Sequence, residues 1–562
     1  MNSAFNRVRE AGRRARLQGG RIVFLGQEDD DELPWPEFFA QAEDVAAWLQ
    51  NVRGLGRGGR VVILGLPSRP VVTALVGAWL AGASVTVAPT PARTTDLQTY
   101  VGQTLARLAA LGEPLVLLGA PYDALADALV AGGAHVELLA DALAAEPVGV
   151  WKAPDLTADD PAILQFTSGT TSTPKIVRVS HGNLAANIAA IRERIRHDEV
   201  HDRLLTWLPL SHDMGLIGAL AVQLTCGHCD VLISSPNDYL ASPSSWMRNA
   251  ARYRATVLMG PASAYAMAGR LLKTGPALDL SCVKVALSGG EPIDPEAIEA
   301  FLDAAARHGF RREAFLPAYG LAEATLAVTM PDPYRGLRVD EVDADILADQ
   351  RRAEPALGGR RTRRFARLGE PVPGTRVRIV DPVTDADRPQ RSVGEIQVAG
   401  PSIAGYLTET PDTPDVAGGD AGDGGHTHSR DRWLATGDVG YLVDGELVVC
   451  GRAKDLIIIG GRNIHPEEAE QAAATVPGVR PGNAVAFATR RGGAATDSVT
   501  VAFELRPGHD ETDVRGRVTA AVLAAVGVRP AAVHALPPGS IPKTPSGKLQ
   551  RAEAARLWGG EQ

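Results

Sequence analysis

The chain has 562 residues, of which 45% are hydrophobic and 22% are charged, and its formal net charge at pH 7 is −9. A chain of this length is too long for one hydrophobic core, so two or more domains are expected. The acidic balance, with both signs mixed along the chain, argues against a nucleic-acid binder. Because the chain has only 4 cysteines, a disulfide framework is excluded and a reducing cytoplasm is the expected location.

The N-terminal arginines are followed by no apolar core of a signal peptide. The longest apolar run, residues 71–89, is interrupted by small and polar residues. It predicts a buried helix over 71–80 and a strand over 84–88 better than a membrane-spanning helix. We therefore expect no stable membrane anchor.

Strand-like runs alternate with helical patterns through the first part of the chain. The predicted strands cover residues 60–64, 84–88, 114–118, 204–208, 231–234, 256–259 and 283–287. A helix is predicted over 295–308, because Pro295 stands at its start and Gly309 follows its end. This alternation indicates β-α units, mostly parallel sheets and an α/β fold.

The pattern changes towards the C-terminus. Shorter strands at 376–380, 395–398 and 447–449 predict a β-rich subdomain. After residue 453 a new series begins, with strands at 456–459, 484–488 and 499–504, helices from 466 and over 513–525, and a turn-rich loop at 542–548. About a hundred residues suffice for a small domain. We expect a large domain over 1–453, a small α+β domain over 454–562, and a mobile surface loop over the Gly/Asp-rich segment 411–430.

A loop rich in Ser, Thr and Gly lies between two strand-like runs at 164–175. Its backbone N–H groups and hydroxyls can wrap an anion, and Lys175 adds a positive charge for phosphate. The loop fails the Walker pattern, because Pro174 stands where that pattern needs glycine. A plain hairpin turn is the alternative. The candidate anion-binding residues are Thr167, Ser168, Gly169, Thr170, Thr171 and Lys175.

Five further motifs follow in the chain. They are Trp-Leu-Pro-Leu-Ser-His-Asp-Met-Gly-Leu at 207–216, Ser-Gly-Gly-Glu-Pro at 288–292, Tyr-Gly-Leu-Ala-Glu at 319–323, Thr-Gly-Asp at 436–438 with Gly-Arg at 451–452, and Pro-Ser-Gly-Lys-Leu at 545–549. Each has a plain alternative when taken alone. His212 suits a buried core position, Glu323 suits a helix start, and Lys548 suits a surface charge.

Together, and in this order, the six motifs resemble the adenylate-forming superfamily of acyl and aryl ligases, and most of all the fatty acyl-AMP ligases. The motifs run from residue 165 to 551, so the resemblance covers nearly the whole chain. It implies that a carboxylate attacks the α-phosphate of ATP, that pyrophosphate leaves, and that an acyl-AMP forms with the help of Mg²⁺. Such phosphoryl transfer requires mainly positioning and charge neutralisation from the protein.

The resemblance also implies roles for individual residues. The loop 167–175 closes over the ATP phosphates, and Lys548 inserts between the carboxylate and the α-phosphate. The remaining assignments are Gly289, Gly290, Glu291, Pro292, Tyr319 and Gly320 for adenine, Glu323 for Mg²⁺, His212 for the acyl carboxylate, Met214, Met259 and Gly260 for the acyl pocket, Asp438 and Arg452 for the ribose, and Lys454 for the hinge of a mobile C-terminal domain.

The connection from Glu323 to Gly369 is long for a loop inside a compact domain. It resembles an insertion, expected over about 335–365, that in fatty acyl-AMP ligases disfavours the movement needed for CoA chemistry. The resemblance therefore implies that a fatty acid is the substrate and that the phosphopantetheine thiol of an acyl carrier protein is the acceptor. The alternatives are an acyl-CoA ligase, an enzyme that adenylates an aryl or unusual acid, and a catalytically silent nucleotide-binding homologue.

Overall fold

A computed structural model describes residues 4–15, 19–26, 29–91, 96–144, 149–166, 175–226, 228–407, 433–459, 462–489, 497–543 and 549–559. The helices, in chain order, are α1 (Ala4–Ala15), α2 (Trp35–Asn51), α3 (Arg69–Ala81), α4 (Leu97–Ala110), α5 (Ala126–Ala131), α6 (Leu139–Ala144), α7 (His181–Arg194), α8 (Val222–Leu224), α9 (Pro236–Ala241), α10 (Ser245–Arg252), α11 (Ala262–Thr274), α12 (Pro295–Ala306), α13 (Ala344–Gln350), α14 (Pro466–Ala474), α15 (Glu511–Val526) and α16 (Arg551–Trp558).

The strands, in chain order, are β1 (Arg21–Phe24), β2 (Asp31–Pro34), β3 (Arg60–Leu64), β4 (Ser84–Val87), β5 (Leu115–Leu118), β6 (His135–Leu138), β7 (Pro161–Phe166), β8 (Ile176–Ser180), β9 (Arg203–Thr206), β10 (Asp230–Ile233), β11 (Val257–Gly260), β12 (Val285–Ser288), β13 (Phe315–Pro317), β14 (Tyr319–Gly320), β15 (Ala327–Met330), β16 (Val339–Asp343), β17 (Thr362–Ala366), β18 (Glu370–Pro371), β19 (Arg376–Val380), β20 (Gly394–Ala399), β21 (Gly405–Tyr406), β22 (Leu434–Val443), β23 (Glu446–Arg452), β24 (Ile457–Ile459), β25 (Arg462–Ile464), β26 (Val479–Thr489), β27 (Ser498–Leu505) and β28 (Ala532–Leu536).

The chain divides into two compact units, each built from three stretches. Unit 1 comprises Met1–Arg338, Leu368–Arg376 and Val398–Leu434. Unit 2 comprises Val339–Arg367, Val377–Gln397 and Ala435–Gln562. Most of the predicted insertion and the predicted C-terminal segment thus contribute to the same unit.

Unit 1 contains two seven-stranded sheets that are mostly parallel. Their strand orders are β13-β12-β11-β9-β10-β1-β2 and β21-β8-β7-β4-β3-β5-β6. The pairs β1–β2, β7–β8 and β8–β21 are antiparallel. The predicted α/β fold is therefore confirmed.

The apolar run at 71–89 forms α3 and β4, as predicted. Residues Val71 to Ala81 of α3 are all buried, which explains why this helix is apolar all round. It ends at Gly82, which has a φ of 95° and where a Cβ would also crowd Pro154. No helix in the described part of the chain is long and apolar enough to cross a membrane.

Three parallel strands of unit 1 end level with one another. Gly260 of β11 pairs in register with Ser288 of β12, and Ser288 pairs with Pro317 of β13. Strand β9 lies on the other side of β11 and ends at Thr206. The segments that follow these strands carry three of the six motifs, at the edge where α/β sheets bind their ligands.

Unit 2 combines a four-stranded sheet, β19-β20-β22-β23, with the hairpin β16–β17, the hairpin β24–β25 and the sheet β26-β27-β28. Strand β27 packs on both faces, since Val501 and Ala502 belong to different hydrophobic clusters. On one face α15 presents Val514, Val518 and Val522, which are all fully buried and recur every four residues.

Some elements differ from the sequence prediction. Strand β9 ends at Thr206, not Leu208, because the Thr206 hydroxyl accepts a hydrogen bond from the Leu208 N–H and starts a turn. Helix α12 ends at Ala306, two residues before the predicted end. The run Met214–Ala221 is a wide-turned π-helix, which the all-apolar sequence does not distinguish from an α-helix. The loop predicted at 411–430 lies outside the described residues.

Candidate functional site

His212 and Gly290 bring two of the motifs into contact. The imidazole Cε1 of His212 lies 3.9 Å from the position that a Cβ on Gly290 would take, and Gly290 has a φ of 80°. The Nδ1 of His212 lies 2.6 Å from the carboxylate of Asp213. Asp213 also accepts a hydrogen bond from the Met214 N–H at the start of the π-helix. The ring of His212 is thereby fixed beside the glycine strip 289–290.

The glycine strip is anchored at both ends. The Ala318 N–H donates to the Ser288 carbonyl at 2.8 Å, and a Cβ on Gly289 would lie 3.1 Å from the Ala318 carbonyl oxygen. The carboxylate of Glu291 accepts from the Ser263 N–H at 2.5 Å, close to the start of α11, where negative charge is favoured. Gly289 is therefore buried and tightly packed, whereas Gly290 is exposed and has a positive φ.

The segment 319–325 forms a tight and strained turn. Tyr319 is half-buried, and a Cβ on Gly320 would collide with the Leu326 carbonyl. Glu323 sits in a 3-10 turn, Ala322–Ala324, and is followed by Thr325 with φ 67° and ψ −58°. A β-branched residue in that region costs about 1–3 kcal/mol and marks functional sites. The buried Thr325 hydroxyl donates to the Ser402 carbonyl at 2.6 Å, which helps to hold the turn.

Tyr406 joins Glu323 to Lys175. Its hydroxyl donates to Oε1 of Glu323 at 3.1 Å, and the Lys175 ammonium lies 5.4 Å from the centre of its ring, within cation–π range. Burial, and next the negative charge of Glu323, raise the pKa of Tyr406, so the hydroxyl remains a donor. The sequence did not point to Tyr406, because one tyrosine ahead of a Gly/Asp-rich stretch matches no chemical pattern.

The three predicted acyl-pocket residues lie at the start of the π-helix (Met214) and at the end of β11 (Met259 and Gly260). Met214 and Met259 are buried, and the Met259 Cε lies 3.6 Å from the Cβ position of Gly218 in the π-helix. At Gly260 a Cβ would lie 2.7 Å from the Trp246 ring. The surroundings of these residues are apolar, with Leu326, Met259 and Trp246 as the neighbours.

In unit 2, Asp438 and Arg452 face each other across β22 and β23. The two residues pair in register, and the Arg452 Nε lies 3.3 Å from the Asp438 carboxylate. Asp438 is 7% exposed, whereas the Arg452 side chain is 57% exposed. Thr436 accepts a hydrogen bond from the Asp438 N–H at 3.1 Å. The pair can present two acceptor oxygens and a guanidinium to a sugar.

The predicted hinge residue Lys454 immediately precedes Asp455, which belongs to a cluster of charged side chains around Arg551. Lys454 is exposed in the 3-10 turn Ala453–Asp455. Arg551, at the start of α16, contacts the carboxylates of Asp455, Glu467 and Glu470 at 2.9, 2.9 and 2.8 Å. Thr167, Ser168, Gly169, Thr170, Thr171 and Lys548 lie outside the described residues. Among the described residues, Lys543 and Leu549 form an antiparallel bridge.

Residues 339–365, most of the predicted insertion, contact the C-terminal part of unit 2 through charged side chains. Arg361, immediately before β17, donates to the Ala525 carbonyl at 2.5 Å, and Arg363 of β17 lies 2.5 Å from the Glu468 carboxylate. Arg462 of β25 contacts Asp345 of α13 at 3.1 Å and Asp349 at 2.9 Å. These contacts connect both sides of the insertion to residues beyond the predicted hinge.

Comparison with known proteins shows the family of the chain. Residues 12–407 match the family described as AMP-binding enzyme. A Mycobacterium tuberculosis protein, named provisionally as a ligase, is 39% identical over 535 residues, 93% of this chain and 94% of its own length. A medium-chain-fatty-acid–[acyl-carrier-protein] ligase of Moorena producens is 36% identical over 415 residues, 72% of this chain and 68% of its own length. A Caulobacter vibrioides protein, named provisionally as an acyl-CoA synthetase, is 36% identical over 413 residues, 72% of this chain and 69% of its own length.

A solved structure from a study of fatty acyl-adenylate ligases of E. coli and L. pneumophila superposes with a TM-score of 0.86 at 30% identity. It covers 100% of this chain and 98% of its own. The fold and these relationships define an adenylate-forming acid ligase. The chain belongs to the AMP-binding enzyme family, whose members use ATP.

Proposed function

We propose that this enzyme activates a fatty acid as an acyl-adenylate, releases pyrophosphate, and transfers the acyl group to the phosphopantetheine thiol of an acyl carrier protein. The observation that carries the choice of acceptor is the set of charge contacts between the insertion and the C-terminal part of unit 2. In the fatty acyl-AMP ligases that the chain resembles, such an insertion disfavours CoA chemistry. The name of the Moorena producens relative supports the same choice.

A carboxylate lacks a good leaving group and must be activated before a thiol can attack it. Oxide is a poor leaving group, so the acid must first attack the α-phosphate of ATP to gain a leaving group that a thiol can displace. No protein nucleophile is needed, since the substrate carboxylate already is one. In this scheme His212, held at Nδ1 by Asp213, orients the carboxylate, and Lys548 offsets the charge that develops between it and the α-phosphate.

The nucleotide is held by the remaining site residues in this scheme. The backbone of 289–290 and the ring of Tyr319 border adenine, while Asp438 and Arg452 bind the ribose hydroxyls. Lys175 and the loop 167–171 bind the phosphates. In-line placement of the α-phosphorus and the carboxylate is the main requirement of such a transfer.

Glu323 fits a Mg²⁺ ion that arrives with ATP. Mg²⁺ is usually held by one or two carboxylates together with substrate phosphates, and Glu323 supplies a carboxylate whose Oε1 is already oriented by Tyr406. In the part of the chain that the structure describes, no three His, Cys, Asp or Glu side chains are grouped to hold a metal without the nucleotide. Bound there, the ion would neutralise phosphate charge.

The test is an ATP–pyrophosphate exchange assay with carboxylic acids of increasing chain length, followed by an acceptor assay. Holo acyl carrier protein, its apo form as the matched control, and CoA are each added to the acyl-AMP formed by the best acid. Acylation of the holo carrier at least tenfold faster than formation of acyl-CoA is expected. Comparable or faster acyl-CoA formation supports the acyl-CoA ligase instead, and no exchange with any acid refutes both functions.

A further inference from the structure

Residues 402–406, here called the bridging segment, contact the Glu323 turn at three points. The Thr325 hydroxyl donates to the Ser402 carbonyl at 2.6 Å. The Ala404 N–H donates to the Glu323 carbonyl at 2.8 Å, and the Tyr406 hydroxyl donates to the Glu323 carboxylate at 3.1 Å. Main chain and side chain of Glu323 are therefore both fixed by one short stretch.

The same segment is fastened to the strand that follows the phosphate loop. Gly405 and Tyr406 pair antiparallel with Arg178 and Val177 of β8, and the Leu407 N–H donates to the Ile176 carbonyl at 2.9 Å. Lys175 immediately precedes this strand, and its ammonium lies over the Tyr406 ring at 5.4 Å. The bridging segment thus reaches the end of the phosphate loop on one side and Glu323 on the other.

A third support comes from helix α7. The Asn183 side-chain amide donates to the Pro401 carbonyl at 2.8 Å and to the Ile403 carbonyl at 3.0 Å. The other end of that amide completes a capping box with Ser180 at the start of α7. Because one asparagine secures both the helix and the segment, the segment has little freedom to shift relative to β8.

We propose that Tyr406 is a positioning residue that sets the spacing between the Glu323 carboxylate and the Lys175 ammonium, so that both engage the phosphates and metal of one nucleotide. Its hydroxyl orients the carboxylate, and its ring faces the ammonium. The hydroxyl and the ring of Tyr406 therefore have separate roles, which different substitutions can distinguish. The proposal rests on the roles that the proposed function gives to Glu323 and Lys175.

The test measures binding rather than turnover. Mn²⁺ replaces Mg²⁺ as a spectroscopic probe, and its affinity is titrated by electron paramagnetic resonance in the presence of a non-hydrolysable ATP analogue. Affinity for the analogue is measured separately by calorimetry in EDTA. Tyr406→Phe removes the hydroxyl and keeps the ring, whereas Tyr406→Leu removes both.

Tyr406→Phe is expected to weaken Mn²⁺ binding about fivefold or more, since one charge-assisted hydrogen bond is lost, and to leave analogue affinity in EDTA within about twofold. Tyr406→Leu is expected to weaken both. The matched control is Tyr253→Phe, because the Tyr253 hydroxyl also donates to a carboxylate, that of Asp30, in the same unit. It should change neither affinity.

Unchanged Mn²⁺ affinity in Tyr406→Phe overturns the proposal. An equal loss of thermal stability in the Tyr406 and Tyr253 variants, without a change in metal affinity, also overturns the proposal. That result would indicate a structural role only. Failure of the proposed function is distinguishable, because a wild-type protein that shows no acid-dependent exchange still permits both binding titrations. A wild-type protein that does not bind the analogue at all overturns both.

Discussion

The guanidinium of Arg363, on β17, lies 2.5 Å from the carboxylate of Glu468, in the first turn of α14. The two side chains are only 13% and 19% exposed. Burial raises the pKa of Glu468, and the positive charge of Arg363 opposes that rise. This ion pair therefore joins the predicted insertion to the C-terminal segment. Removal of either side chain leaves the other as an unpaired buried charge.

Breaking this pair from one side should destabilise unit 2. Arg363→Met leaves Glu468 without its cation and is expected to cost about 3 kcal/mol, whereas Arg363→Met with Glu468→Met should recover most of that loss. Urea unfolding of the two single variants and the double variant measures the coupling. Additive losses would contradict a direct pair.

The double variant also tests the link to acceptor choice, because it removes the connection without an unpaired buried charge. Acyl-CoA formation relative to carrier acylation should rise about fivefold or more in the acceptor assay. Arg364→Met is the matched control, since Arg364 pairs with Glu341 inside the insertion at 3.0 Å. If Arg364→Met shifts the ratio equally, the Arg363–Glu468 pair does not determine the acceptor.

Arg551 should be among the most sensitive positions of the C-terminal segment. Burial alone lowers the pKa of this guanidinium, but the hydrogen bond and charge of Glu470, then the charges of Glu467 and Asp455, outweigh that and raise it. Arg551→Met leaves three carboxylates without their cation, so a loss of about 3–5 kcal/mol is expected. Chemical unfolding monitored by hydrogen exchange of α14 and α16 measures the loss.

The control for Arg551 is Arg556→Ala in the same helix. Arg556 pairs with Glu553 at 2.5 Å, but its side chain is 70% exposed. Exposed pairs contribute little, so this variant should unfold like the wild type. A loss of stability in Arg556→Ala as large as in Arg551→Met would show that α16 as a whole, not the buried cluster, limits stability.

Lys548 is predicted to act in the chemical step. Lys548→Ala should leave ATP binding largely intact and reduce acyl-AMP formation about 100-fold or more, since a well-placed charge contributes about 3 kcal/mol to the transition state. Lys543→Ala, in the same loop, removes an amine that donates to the Gly482 carbonyl at 2.8 Å and should retain near-normal activity. Near-normal adenylation by Lys548→Ala would disprove the assignment.

His181 should make the protein less stable in mild acid. Its Nδ1 accepts from the Phe5 N–H at 3.3 Å, and burial lowers the pKa of His181 to about 4 from an ordinary 6.5. Because the folded state resists the proton that the unfolded chain accepts, stability falls as the pH drops from about 6.5 to about 4. From pH 7 to pH 5 this one residue accounts for about 2 kcal/mol.

His181→Gln keeps an acceptor near Phe5 but does not titrate. The free energy of unfolding, measured from urea curves at several pH values, should therefore fall less steeply in this variant between pH 7 and pH 5, and the two curves should run parallel above pH 7.5 or so. Identical slopes in acid would contradict a neutral, buried His181.

The sequence predicted the sheets well because their signal is local. Strand β3 has the predicted bounds 60–64, and the buried helix α3 extends the predicted 71–80 by a residue or two at each end. The contact of His212 with Gly290 was not predicted, because the two residues lie far apart in the chain. Tyr406 and Arg551 were not foreseen, since each depends on partners far away in the chain, about 80 residues in both cases.

The partners of the predicted insertion were not anticipated. An arginine-rich stretch is typical of a solvent-exposed surface. Nothing in its pattern distinguishes Arg363, which contacts a buried glutamate, from Arg364, which pairs with a residue of the same hairpin. Such distinctions arise only when strand register decides which side chain faces which way.

Unit 2 is assembled from three separated stretches, and this affects the order in which it can fold during synthesis. The hairpin β16–β17 leaves the ribosome about a hundred residues before Glu468, which at about 5–20 residues per second is a delay on the order of 5 to 20 seconds. Throughout that interval Arg361 and Arg363 have no acidic or carbonyl partner from the C-terminal segment to bind. The unit can close only when nearly the whole chain has been made, so its folding is inherently late and non-local.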